Sequence, residues 1–306
     1  MPFTLSHAAA VLPLVRRDGT GRGPLLPSVM IAGSFAPDLT YFAASALPGA
    51  MEFGTVTHSW PGVFTVDVAI TALLVGAWLL LREPLVALLP RARQGRVLGL
   101  VRGRPWGERP VGSLLLACYV SAVLGAATHT VWDAFTHLDR WGMRVFPVLG
   151  EEIAGSPLYW YLQYGGSALA LFAVGCFAVS ALRRAADAGT SGVPAPTRRA
   201  RIAAFAFMGG CVLLGAVHRT VRWWQQSGGP GAAWEIIPTL CFGAGAGLVP
   251  GLLGYAVAVR VRTRRAGRAI RPDAADPATG PEPARSAARP GPADPHRQEP
   301  TRPAAR

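Results

Sequence analysis

Residues 111–137 read V-G-S-L-L-L-A-C-Y-V-S-A-V-L-G-A-A-T-H-T-V-W-D-A-F-T-H. Val111–Val131 contains no Asp, Glu or Arg, and crossing a bilayer takes roughly 17–25 such residues. The stretch then closes on His129, Asp133 and His137, spaced i, i+4, i+8. On a helix these three share one face, about a turn apart. Ionisable groups at a membrane span are costly to keep and point to a function. This segment therefore predicts a membrane-spanning helix with a polar cluster at one end.

Four further stretches are long and apolar enough to cross: Val63–Leu81, Tyr164–Leu182, Ile202–His218 and Pro238–Val259. A sixth, Leu25–Leu47, is interrupted by Pro37-Asp38. Phe3–Val15 is apolar but only about half a span long. The predicted fold class is all-α: a multi-pass transmembrane helical bundle of about six spans plus a short N-terminal half-span helix. Arginine placement orients it. Segments 16–24, 82–110 and 183–201 hold three, seven and five Arg, whereas 48–62, 132–163 and 219–237 hold none, two and two. Short Arg-rich loops stay cytoplasmic, so the C-terminus is expected in the cytoplasm and the Arg-poor loops outside. Trp223, Trp224 and Trp234 suit an aromatic belt at the outer interface.

Composition agrees with this class. Charged residues make up 15% of the chain and apolar residues 51%, against about 25% charged in soluble domains. All 30 basic residues are Arg, which with abundant Ala and Gly suggests a GC-rich bacterial genome and a bacterial cell membrane. The net charge of +13 does not point to nucleic acid, because the Arg residues fall where membrane topology explains them; the partner expected is membrane lipid. No basic start precedes the first apolar run, so no secretory signal peptide is expected. Cys118, Cys176, Cys211 and Cys241 lie in apolar stretches without C-x-x-C spacing, and no disulfide is expected. G-A-G-A-G at Gly243–Gly247 lies within an apolar span with no strand before it, which suits close helix packing and not phosphate binding. The membrane domain is expected over 1–260. From Val261 to Arg306, Pro, Ala, Arg and Gly dominate without apolar periodicity, so this tail is expected to be disordered.

Several ligand-type side chains converge on the predicted outer side. His58 precedes the span 63–81 at its outer end, Asp38 lies in the outer half of 25–47, and His129 and Asp133 end the span 111–131. His7 joins them if Phe3–Val15 enters from outside and turns back at Arg16-Arg17. Imidazoles with carboxylates are what a zinc-like divalent cation requires. His137, a helical turn further on, sits at the margin as an extra ligand or a substrate contact. Asp67 suits a role orienting a histidine or a contact between helices. His218 and His296 are incidental.

The opening M-P-F-T-L-S-H, then G-S-F-A-P-D-L-T-Y-F, T-H-S, G-A-A-T-H-T-V-W-D-A-F-T-H and P-L-Y-W-Y-L-Q-Y-G-G-S occur in that order. Together they resemble the bacterial domain-of-unknown-function family 4184, over about residues 1–260. The order His, Pro-Asp, Thr-His-Ser, His-x-x-x-Asp is more remotely similar to inner-membrane metal-dependent hydrolases, the YdjM-like proteins, themselves likened to zinc-dependent phospholipase C. That resemblance implies a metal-dependent hydrolase with His7, Asp38, His58, His129 and Asp133 at the matching positions. Asp38 would be a ligand or the general base, and a lipid headgroup or other envelope phosphoester the substrate. The alternative is a non-catalytic membrane protein whose cluster binds a structural metal, senses it or transports it. Transport needs polar groups through the bilayer depth, and the inner halves of these spans are nearly free of them.

Overall fold

The computed structural model describes residues 3–138, 140–228 and 236–269. The expected tail begins at Val261, but helix continues to Ala269, and 270–306 lie outside the described residues, as does Trp234. The chain divides into two units, Met1–Arg265 and Ala266–Arg306. The helical bundle and its buried His and Asp residues lie in the first.

The chain opens with a 3-10 turn, Thr4–His7, running into helix α1 (Ala8–Val11) and a second 3-10 turn, Leu12–Leu14. This short apolar rod ends where Arg16 N–H donates to Thr20 O and Val15 bridges Gly21, so the chain reverses at Arg16-Arg17. The sixth expected crossing, Leu25–Leu47, is not one helix. It consists of α2 (Pro27–Gly33), a 3-10 turn (Ala36–Asp38) and α3 (Leu39–Ala43). Pro37 cannot donate a backbone hydrogen bond and disfavours helix in the residue before it, so the break falls beside Asp38. Two short helices follow, α4 (Gly54–Thr57) and α5 (Trp60–Phe64).

The long helices come next: α6 (Val66–Ala87), then α7 (Arg91–Arg102) and α8 (Val111–Ala134). The Arg-rich segment after α6 is therefore partly helical and not a simple loop. Gln94 Nε2 donates to Leu89 O at 2.9 Å, just past the end of α6. Helix α9 (Trp141–Val145) and a two-residue hairpin, β1 (Glu152–Ile153) with β2 (Ser156–Pro157), lead to α10 (Leu158–Arg184), α11 (Arg198–Ser227) and α12 (Ile236–Ala269). Among the described residues, five helices (α6, α8, α10, α11 and α12) are long and apolar enough to cross a membrane. Large apolar side chains cover their outer faces: Leu73 is 75% exposed, Phe172 72% and Leu214 71%. Such a surface is stable in lipid and a liability in water. Arg219 and Arg222, expected in an outer loop, lie within α11.

Small residues set the close contacts. A Cβ on Gly33 of α2 would lie 2.6 Å from Ala122 O of α8, and one on Gly125 of α8 would strike Met30 O. The two backbones touch there, as small residues permit in membrane bundles. The G-A-G-A-G stretch works likewise. Gly243 and Gly247 face Gly215 and Cys211 of α11 with no room for a side chain. Pro84 within α6 leaves Leu80 O without its helical N–H donor. Arg260 of α12 supplies one, donating to Leu80 O at 2.8 Å, and Tyr255 O–H donates to Pro84 O at 2.9 Å. The four cysteines are free thiols.

Candidate metal centre

The breaks in the N-terminal third deliver the site. His7 ends the first 3-10 turn, Asp38 ends the 3-10 turn after α2, and His58 terminates α4. His129 and Asp133 project from successive turns of α8. All five are buried, with His7, Asp38 and His129 fully so. The α2–α8 glycine contact brings the Asp38 turn against the His129 face.

Asp38, His58, His129 and Asp133 each offer one ligand-type atom, and these atoms lie within 4.8 Å of one another. His58 Nε2 is 3.3 Å from His129 Nε2. Asp38 Oδ1 is 3.7 Å from His58 Nε2 and 3.5 Å from His129 Nε2. Asp133 Oδ2 is 3.5 Å and 3.4 Å from the same two nitrogens. Ligands held tetrahedrally at 2.0–2.2 Å from a zinc-like ion stand about 3.3–3.6 Å apart. The buried His/Asp group can hold a metal ion.

The backbone orients the imidazoles for this. His129 Nδ1 lies 2.8 Å from Ser34 O and His58 Nδ1 2.9 Å from Gly54 O. A carbonyl oxygen only accepts, so each Nδ1 carries the proton. In the neutral ring each Nε2 then presents a lone pair. With both rings neutral, two lone pairs and two carboxylate oxygens face a common centre. Carbonyls behind ligating histidines are the usual way of fixing this tautomer. Asp38 is held from behind as well: Thr4 O–H donates to its Oδ2 at 2.6 Å. Thr57 O–H donates to Pro37 O at 2.8 Å and ties the His58 turn to the Asp38 turn.

His7 stacks on His129, with ring centroids 3.7 Å apart, and its Nε2 is 3.4 Å from Asp133 Oδ1. His137 follows α8, with Nδ1 3.6 Å from the same oxygen. Burial, outweighing the nearby Asp133 carboxylate, pushes the His137 imidazole down to about 4, so it is neutral at pH 7. The six sequence-predicted residues thus meet, four around one centre and His7 and His137 at the second oxygen of Asp133. Asp67 is buried in the first turn of α6, yet neither of its carboxylate oxygens has a hydrogen-bond partner among the described residues, so it orients none of their histidines through a hydrogen bond. His218 is exposed, and His296 lies outside the described residues.

Sequence reasoning missed Thr4, Thr57 and Gln163, whose Nε2 is 3.0 Å from His137 Nε2. Thr4 was legible in principle, three residues before His7 and so one turn of 3-10 helix away. Gln163 was not, because only tertiary packing brings it to His137.

The family model described as Domain of unknown function (DUF4184) matches residues 1–257. The chain belongs to that family. No curated protein and no solved structure matches the chain. Within this DUF4184 chain the matched region contains every residue of the His/Asp cluster, and it stops short of the described end of α12 at Ala269.

Proposed function

We propose that the chain is an integral-membrane metal-dependent hydrolase that binds a divalent cation, zinc by the chemistry of its ligands. The observation that supports this best is the convergence of two imidazole Nε2 atoms and two carboxylate oxygens, mostly at the spacing of tetrahedral ligands, with a backbone carbonyl behind each Nδ1. Without a cation these buried acceptors would repel one another in a low-dielectric setting. His58, His129 and Asp133 are the ligands, with Asp38 contributing Oδ1. A bound cation supplies Lewis acidity toward a phosphoryl or acyl oxygen and lowers the pKa of water. Asp38 Oδ2, held by Thr4, is the general base. The substrate is a lipid headgroup or other envelope phosphoester, because the cluster belongs to a helical domain suited to lipid. The Arg distribution puts the cluster on the outer side and the C-terminus in the cytoplasm.

The full burial of Asp38 and His129 favours a second reading, in which the ion is structural and the protein non-catalytic. One experiment separates the two. Purified wild type should carry metal, His129→Ala should lose most of it, and wild type should turn over lipid phosphoesters while the variant does not. Metal without turnover supports the structural reading; wild type without metal sinks both.

A further inference from the structure

We infer that the cluster holds two cations bridged by Asp133, the second bound by Asp133 Oδ1, His7 and His137. This rests on the reading of the first position as a metal site. The two oxygens of Asp133 face different partners. Oδ2 faces His58 and His129 at 3.5 Å and 3.4 Å, whereas Oδ1 faces His7 Nε2 at 3.4 Å and His137 Nδ1 at 3.6 Å. A carboxylate with separate imidazole pairs on its two oxygens has the arrangement of a bridging ligand.

His7 is the decisive residue. It is fully buried, and neither of its ring nitrogens has a hydrogen-bond partner among the described residues. Asp133 Oδ1 is also buried and without one, although His7 Nε2 lies only 3.4 Å away. At 3.4 Å the pair stands beyond the usual range of about 2.7–3.2 Å for an N–H···O hydrogen bond, and none is formed. Buried polar groups left unsatisfied are rare and costly. A cation between His7 Nε2 and Asp133 Oδ1 gives both of these atoms a partner and leaves only His7 Nδ1 without one. The distances of 3.4 Å and 3.6 Å again match the spacing of about 3.3–3.6 Å between tetrahedral ligands.

Gln163 completes the arrangement. Its side-chain amide meets His137 Nε2, Nε2 to Nε2, at 3.0 Å. With the amide turned so that Oε1 faces the ring, it accepts the Nε2 proton, and the Nδ1 lone pair faces Asp133 Oδ1. Thr136 Oγ1 lies 3.2 Å from that Nδ1 and donates to Trp132 O at 3.3 Å. Two nitrogens and carboxylate oxygen suit zinc or manganese. Paired cations about 3.5–4 Å apart clamp the attacking and leaving oxygens of an in-line displacement at phosphorus. A bridged pair therefore suits a phosphoester substrate.

The test uses the full chain purified in detergent, stripped with chelator and reloaded with Mn2+. Metal per chain and the electron paramagnetic resonance spectrum are then measured. Wild type should bind about two ions per chain and give an exchange-coupled spectrum, as adjacent metals do. His7→Ala and, independently, His137→Asn should each bind about one ion and give an uncoupled spectrum. Gln163→Glu, whose carboxylate accepts the same Nε2 proton, should keep both ions. His137 is partly exposed, so His137→Asn remains informative if His7→Ala fails to fold. One ion in wild type, unchanged in either variant, overturns the second position and leaves the first intact. Two ions without exchange coupling overturn the bridge. No ion in wild type overturns the first reading, and this one with it.

Discussion

At His58 and His129 the backbone decides the chemistry. Gly54 O and Ser34 O take the Nδ1 protons, and the two Nε2 atoms are left to converge. Asp38 is fixed similarly by Thr4. Removing such a supporting group typically weakens metal binding about 10–100-fold while every ligand stays in place. Thr4→Val should therefore lower metal affinity by about an order of magnitude, measurable by competition with a chromogenic chelator. An unchanged affinity would mean that the Thr4 hydroxyl does not position Asp38 in the loaded protein. Proton competition gives a second expectation. Imidazole ligates only when neutral, so protons and metal compete for the same lone pair, and affinity must fall as pH falls. Dialysis from about pH 8 to about pH 5 should release the ion, and return to the higher pH should restore binding. Retention of metal through the acid step would argue against histidine ligation.

Among elements, the contact between α2 and α8 matters most. Gly33 and Gly125 let the backbones touch, and that approach sets Ser34 O against His129 Nδ1. A side chain at Gly125 must push α2 away. Gly125→Val should cost about 1–3 kcal/mol in stability through overpacking, and it should lower metal content although it changes no ligand. Thermal melting beside metal analysis checks both; a variant that melts lower but retains full metal would uncouple the helix contact from the site. The interrupted segment has the opposite character. A continuous helix over Leu25–Leu47 would place Asp38 according to helical periodicity alone. The break at Pro37 instead turns Asp38 toward α8, where its Oδ1 lies 3.5 Å from His129 Nε2. The proline that weakens the span as a crossing is the one that makes the carboxylate available.

For the whole molecule, the orientation we propose from the Arg distribution has the 132–163 segment outside and 82–110 inside. In a background lacking the four native cysteines, Glu152→Cys should react with a membrane-impermeant thiol reagent in intact cells, while Arg93→Cys should not. Both parent side chains are exposed, so access to the aqueous phase alone decides labelling. The reverse pattern would move the His/Asp cluster to the cytoplasmic side.

The sequence alone determined the class of this protein. Five apolar stretches of spanning length are visible without any contact information, because lipid forces each backbone to satisfy its own hydrogen bonds locally. It also marked the ligand-type residues, since charged and imidazole groups stand out against an apolar background. Boundaries were less legible: α11 and α12 extend well past the apolar windows at Ile202–His218 and Pro238–Val259, since helix continues through polar residues once a span has nucleated it. Only the tertiary structure decided that Asp38 and His58 meet His129 and Asp133 of α8 around one centre, with His7 against the second oxygen of Asp133. Spacing within a segment fixed His129 against Asp133, but the approach of His7, Asp38 and His58 depends on glycine contacts and proline breaks between segments. The split of Asp133 between two sets of imidazoles and the carbonyls that set the tautomers arise from packing, and no pattern along the chain encodes them locally.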